Sequence, residues 1–261
     1  MKKYLVIGNP VEHSLSPELH NYWIKQNNLN AAYDKKQLNE SDIRGIITEV
    51  KNGKIDGINI TVPFKKSVIP FLDQLTTLAK EAQSVNTIFK KNNKVVGDNT
   101  DIGGFEHALK YINYSVKDKK IFILGGGGVV PSIIIALRKL GSAKITLSNR
   151  TKEKAENLKK IYPDLEIIDW GETPDFNMII NATSLGLKTT DQINLNYTGI
   201  GSNKLFYDVI YNPKKTNFLI KAKQFGNQVE NGKMMFIYQA QLAFKIWHNI
   251  LPKVHNKLLE K

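Results

Sequence analysis

The chain has 261 residues, 41% of them hydrophobic and 23% charged, which is the composition of a folded globular protein and excludes a disordered one. No apolar run approaches the ~18 residues of a membrane span, the opening apolar run is too short for a signal-peptide core, and there is no cysteine, so a cytoplasmic protein without disulfides, thiolate nucleophile, metal centre or membrane contact is expected. The 37 Lys and Arg against 24 Asp and Glu give a net charge of +13, but the lysines are scattered in ones and twos, which argues against nucleic acid and for a surface that attracts phosphates and carboxylates.

Short β-rich runs alternate with helical patterns from the first residues, the signature of a parallel α/β architecture. Residues 4–8, YLVIG, read as a buried strand, and 16–26, SPELHNYWIKQ, as a helix with Ser16 at the N-cap and Pro17 at the first helical position. Strand AAYD (31–34), a helix over about 41–51 and strand GINIT (57–61) follow. Helical segments are predicted over 65–72 and 74–82, and NTIFKKNNKVVGDN (86–99) as a hairpin turning at Asn92 and Asn93. At its exit Asp98 reads as a turn residue, and Asp101 opens a helix over 102–111, a common N-cap use of Asp.

Three polar clusters accompany these strands: HSLSP with Ser14 and Ser16, NITVPFK with Asn59, Thr61 and Lys65, and SVNT followed by GDNTD. Alternation puts Asn59 and Thr61 on one side of their strand, with Lys65 at the following helix start. Each cluster alone fits an ordinary turn. Together they sit where parallel α/β sheets take ligands, at the carboxyl ends of strands.

After a Lys-rich connection, INYSVKDKK, a second unit begins with strand IFILG, and ILGGGGVVPSIIIAL (123–137) runs strand, glycine turn, helix. Glycines there let a pyrophosphate approach the backbone at a helix N-terminus, although a ligand-free glycine turn has the same local pattern. In a GxGxx(G/A) reading the slots are Gly125, Gly127 and Val130, the last larger than usual. NAD-specific folds carry an acidic residue about 20 residues further on, at the end of the next strand. Here that end is SNRTKEK, with Asn149, Arg150, Thr151 and Lys154, which favours the 2′-phosphate of NADP.

Helix KEKAENLKKIY and strands LEIID, FNMIIN and KLFYDVI come next, and MMFIYQAQLAFKIWHNIL is a long final helix. Its apolar face is read as Met235, Tyr238, Leu242 and Ile246, interrupted by Gln239. YNPKK (211–215) satisfies the YxxxK pattern of short-chain dehydrogenases, but Pro213 breaks the helix that this chemistry needs.

In the order and spacing of SLSP, NITVPFK, VNT, GDNTD, the glycine turn, SNRT, INATSLG, DVIYNPKKT and NGKMMFIYQAQLAF, nearly the whole chain resembles the shikimate dehydrogenase family. The resemblance implies NADP-dependent reduction of 3-dehydroshikimate to shikimate by a monomer or homodimer. It also implies an N-terminal α/β substrate domain (1–103 plus 234–261) and a C-terminal Rossmann-type NADP-binding domain (104–233), with the C-terminal helices returning to the first. It assigns Ser14 and Ser16 to the substrate carboxylate, Asn59, Thr61, Asn86, Asp101 and Gln239 to the ring hydroxyls, Tyr211 near the carboxylate, and Lys65 with Asp101 as the catalytic pair. Around the cofactor it places Gly125, Gly126, Gly127, Gly128, Val129, Asn149, Arg150, Thr151, Lys154, Asn181, Thr183, Leu185, Val209, Gly232 and Met235. Gly126, Val129 and Val130 depart from the smaller or different residues frequent in the family. A quinate or dual-specificity relative is a close rival. A non-catalytic NADP-binding regulator would be expected to lack Lys65 or Asp101, and both are present.

Overall fold

KKYLVIG, apolar from Tyr4 onward, forms β1 (Lys2–Gly8) as an inner strand of a six-stranded sheet, and the computed structural model describes residues 1–255 around it and a second sheet. The described chain divides into two units, Met1–Gly104 with the segment from Ile237 onward, and Phe105–Phe236.

In the first unit β1 is followed by α1 (Ser16–Gln26), β2 (Ala31–Gln37), α2 (Ile43–Lys51), β3 (Gly57–Ile60), β4 (Gln74–Leu75), α3 (Thr77–Ala82), β5 (Thr87–Lys91) and β6 (Lys94–Asp98). α4 (Thr100–Tyr111) leads into the second unit. Ile43, Ile46, Ile47 and Val50 of α2 recur at helical spacing and pack with Ile7, Ile58, Ile88 and Val95 of the sheet into one buried cluster. The sheet order is β2-β1-β3-β5-β6-β4. It is mixed rather than parallel, because the Asn92–Asn93 turn folds β5 antiparallel to β6, and β5 also runs antiparallel to β3. Both turn asparagines have left-handed φ, 49° and 61°, as a tight hairpin requires.

Other local expectations shift. Residues 65–72 form turns ending in a 3-10 helix (Ile69–Phe71) rather than an α-helix, since Pro70 has no N–H to donate and the neighbouring bonds are i→i−3. The helix expected over 74–82 starts at Thr77, because the Thr76 hydroxyl caps it by accepting from Ala79 N, while Gln74 and Leu75 pair with β6. Ser16 is not the cap of α1: Leu15 holds that position, and it is the Ser14 hydroxyl that accepts from Ser16 N.

The second unit holds β7 (Lys120–Leu124), α5 (Val130–Lys139), β8 (Lys144–Ser148), α6 (Lys152–Ile161), β9 (Glu166–Ile168), β10 (Met178–Asn181), α7 (Tyr197–Ile200), β11 (Leu205–Asp208), α8 (Asn217–Gln224) and β12 (Gln228–Glu230). Every pair is parallel, in the order β12-β11-β10-β7-β8-β9. Counted from β7 this is 6-5-4-1-2-3, the doubly wound dinucleotide-binding order, with its switch point between β7 and β10.

The last helix, α9 (Lys233–His248), runs from the second unit into the first. Its buried face is Met234, Met235, Ile237, Ala240, Gln241, Ala243 and Phe244, so Met235 of the expected stripe is buried while Tyr238, Leu242 and Ile246 are half-buried. The small Ala240 and Ala243 allow close packing that hydrophobicity alone did not mark. Trp247 Nε1 donates to Ile88 O of β5, and a side chain at Gly57 would collide with its indole. Among the described residues no helix is long and apolar enough to cross a membrane.

Candidate active site

The mixed sheet of the first unit still collects the polar clusters at one edge. HSLSP and NITVPFK follow the carboxyl ends of the parallel strands β1 and β3. SVNT precedes β5, but β5 is antiparallel, so its start lies against the end of β3: Asn59 pairs with Thr87, and Thr87 with Asp98. Gly8 makes the closeness possible, since a Cβ there would run into Thr61, and Asn9 N donates to Val62 O at 2.9 Å.

Lys65 lies in the turn after β3, where its carbonyl accepts from Val85 N at 2.8 Å. Its Nζ donates to Asp101 Oδ2 at 2.6 Å, with 11% and 8% of the two side chains exposed. Asp101 does not cap α4. Asn99 Oδ1 accepts from Ile102 N in that role, and Asp101 stands within the first turn, where the helix dipole favours a carboxylate. Asp98, expected in a turn, is instead the last residue of β6, where its Oδ1 accepts from Asn99 N at 2.7 Å and from Thr76 Oγ1 at 2.5 Å.

Asn86 joins the pair to the rest. Its Nδ2 is 2.9 Å from Asp101 Oδ1, 2.9 Å from Thr100 Oγ1 and 3.3 Å from Gln239 Oε1, while its Oδ1 accepts from Thr100 N. Asn59 Nδ2 donates to Asn86 O and Thr87 Oγ1, both at 3.1 Å. Lys65, Asp101, Asn86, Asn59 and Gln239 therefore form one connected buried or half-buried set, with Ser14, Ser16 and the half-buried Thr61 on the same unit. Tyr211 belongs to the second unit, stacked on Phe236 with centroids 4.6 Å apart. Thr87, Asn99 and Thr100, which hold this set, were unassigned in the sequence although they lie inside VNT and GDNTD.

In the second unit the glycine turn leaves β7 at the switch point. Gly125 has φ +110°, and a Cβ there would be 2.7 Å from Ala182 O, so both conformation and space demand glycine. At Gly127 a Cβ would meet nothing nearer than 3.8 Å, leaving its backbone open to approach. Gly128 and Val129 lead into α5, whose first N–H groups face outward from a helix with Pro131 in its first turn. Gly126 lies against Asn149 and Lys154.

No carboxylate ends β8. Arg150 is exposed and lines a cavity of about 220 Å³ with Leu124, Trp170, Leu185, Ile193 and Leu195. Lys152 is held by Asp169 at 2.7 Å, whereas Arg150 and Lys154 have no side-chain partner among the described residues. Asn149 Nδ2 donates to Thr151 O and fixes the turn that carries them. The residues present thus fit a dinucleotide bearing an extra phosphate.

The loop after β10 is built on a buried carboxylate. Asp208 accepts from Asn181 Nδ2 at 3.0 Å, Ile210 N at 3.0 Å and Thr216 Oγ1 at 2.6 Å. Asn181 in turn donates to Leu185 O and accepts from Thr183 N and Oγ1, and Thr183 Oγ1 accepts from Leu185 N. Burial raises Asp208 to about 6 against the lowering effect of its three donors. Residues 211–215 make a turn rather than a helix, so Tyr211 and Lys215 form no YxxxK face. Gly232 packs on Val209, where any Cβ would strike the Val209 carbonyl, and the buried Met235 follows one turn later.

Residues 6–88 match the family profile described as the shikimate dehydrogenase substrate binding domain. A curated relative, shikimate dehydrogenase (NADP(+)) of Pelagibacter ubique, is 60% identical over 99% of this chain and 97% of its own. Among solved structures, a shikimate dehydrogenase in complex with NADP+ superposes with a TM-score of 0.93 at 32% identity, covering 100% of this chain and 95% of that one. Shikimate 5-dehydrogenase of Thermus thermophilus in complex with NADP(H) and shikimate superposes with a TM-score of 0.89 at 30% identity, covering 97% of this chain and 95% of that one.

Proposed function

The chain belongs to the shikimate dehydrogenase family of NADP-dependent oxidoreductases, and from that premise we propose that Lys65 and Asp101 carry the interconversion of 3-dehydroshikimate and shikimate. The observation that supports this reading most is the 2.6 Å Lys65–Asp101 bond inside the set formed by Asn86, Asn59 and Gln239. In this reading the first unit takes the substrate and the second takes NADP. Ser14 and Ser16 receive the carboxylate, Asn59, Thr61, Asn86, Asp101 and Gln239 the ring hydroxyls, and Tyr211 assists near the carboxylate.

Negative charge grows on the ketone oxygen as its carbon is reduced. An ammonium has three donors; Asp101 occupies one of Lys65's, leaving two to stabilise that oxygen and deliver its proton. Asp101 holds the ammonium in place and accepts from a substrate hydroxyl. Asn86 keeps the carboxylate oriented through Oδ1, so the pair does not reorganise during the step. In the oxidation direction Lys65 takes the hydroxyl proton back.

The backbone from Gly125 to Val129 at the α5 N-terminus would cradle the pyrophosphate, and Asn149, Arg150, Thr151 and Lys154 the 2′-phosphate of the adenosine end. Asn181, Thr183, Leu185, Val209, Gly232 and Met235 would line the remainder. Bound NADPH supplies the hydride. The protein works in this reading as a cytoplasmic monomer or homodimer. Assay of the purified protein with shikimate and quinate, each with NADP and NAD, is the direct test: turnover of shikimate with NADP is expected, and no turnover in any of the four combinations overturns the reading.

A further inference from the structure

We infer that Tyr33 is a positioning residue for substrate binding, holding Asn59 in one orientation; the inference rests on the role proposed above for Asn59. Nothing in the sequence singled Tyr33 out of strand AAYD.

Tyr33 is 3% exposed and fixed at every level. Its backbone is clamped to α1 by the Asn21 side chain, which accepts from Tyr33 N at 3.0 Å and donates to Tyr33 O at 2.7 Å. Its ring lies flat on the His20 imidazole, centroids 4.2 Å apart and planes 4° from parallel, with Trp247 tilted against it at 6.0 Å. Burial raises the phenol well above its ordinary range, so it remains a donor at any working pH. The only polar atom of the side chain then reaches a second strand. It donates to Asn59 Oδ1 at 2.7 Å on β3.

The consequence is specific for Asn59. Both of its N–H donors are engaged, by Asn86 O and Thr87 Oγ1, and one lone pair of Oδ1 is taken by Tyr33. Asn59 is left with a single acceptor direction, so it would meet a ring hydroxyl only by accepting from it. Tyr33 sets the rotation of the amide that defines this direction. Without the hydroxyl, Asn59 Oδ1 is a buried acceptor short of a partner.

Tyr33→Phe removes one oxygen and leaves the ring stack and the Asn21 clamp, so folding is retained. The expected result is a shikimate KM raised on the order of tenfold, the size of one hydrogen bond to a buried acceptor, with kcat nearly unchanged and the KM for NADP unchanged. A merely structural role would lower the active fraction, and with it apparent kcat, without moving KM. A double-variant cycle adds a second readout: Tyr33→Phe with Asn59→Ala should raise KM no further than Asn59→Ala alone. An unchanged KM in Tyr33→Phe, beside raised values in Asn59→Ala and Ser16→Ala, overturns the positioning role and leaves the site reading standing. Unchanged values in all three overturn both.

Discussion

Lys65 Nζ and Asp101 Oδ2 are 2.6 Å apart, and the other carboxylate oxygen of Asp101 accepts from Asn86, so a nearly buried ammonium is held at a fixed place by a carboxylate that is itself held. Substituting Lys65→Ala removes the proposed proton donor and the charge facing the developing oxyanion, while Asn59, Thr61, Asn86 and Gln239 remain to bind the ring. Turnover is expected to fall by about 10²–10⁴-fold with shikimate KM changed by less than about threefold. Steady-state kinetics check it, and near-normal turnover would remove Lys65 from the chemistry.

The cofactor preference is predicted to reside in Arg150. It is exposed at the end of β8 with no side-chain partner among the described residues, whereas the neighbouring Lys152 is held by Asp169. Arg150→Ala should raise the KM for NADP by roughly 10-fold or more, the scale of a hydrogen bond between charged groups, and leave the KM for NAD unaffected. Added salt should shrink the difference between wild type and variant, because the contact is solvent-exposed. An equal loss with both cofactors would assign Arg150 to the adenosine in general and not to its phosphate.

Much of this was legible in the chain. The glycine turn, the SNRT end and the Asn92–Asn93 hairpin are local devices, and a local device is visible in a local window. What was not legible depended on partners distant in sequence. The mixed first sheet follows from the pairing of β5 with β3, and the buried face of α9 follows from where Ala240 and Ala243 permit close approach. Asn99 took the cap expected of Asp101 because two adjacent turn formers compete for one position, and only the three-dimensional course of β6 into α4 decides between them. Tyr33 and Asp208 were hidden for a related reason: in the sequence each looks like an ordinary strand residue, and its work is done by a single oxygen or carboxylate reaching other elements.

Asp208 should give the protein a pH-dependent stability of unusual sign for an aspartate. Burial raises its folded value to about 6, above the unfolded carboxylate, so between about pH 4 and 6 the folded state holds a proton that the unfolded state has released. Its favourable contribution is present at the acid end of this window and is lost as pH rises through 6. Asp208→Asn cannot titrate, so its stability relative to wild type should improve between pH 4.5 and 7.5. Urea melts of both proteins at the two pH values measure this, and a difference independent of pH would show that the Asp208 carboxyl is not raised.

His20 should act in the opposite direction. Its imidazole is fully buried among Trp23, Tyr33, Phe244 and Trp247, and neither ring nitrogen has a hydrogen-bond partner among the described residues. Burial, reinforced by the nearby His248, lowers it to about 3, and burial likewise lowers His248 to about 4. The folded value lies below the unfolded value of about 6.5, so the unfolded state takes up protons first on acidification. The stability tied to the neutral ring is complete above about pH 6.5 and is lost progressively as pH falls toward 3. His20→Phe keeps a ring of similar size in the stack and removes both the unpaired nitrogens and the proton. It should match or exceed wild-type stability at pH 7 and lose distinctly less than wild type on going to pH 4.5. His248 remains in the variant, so some acid sensitivity should persist, and a wild-type slope in His20→Phe would place the whole of that sensitivity elsewhere.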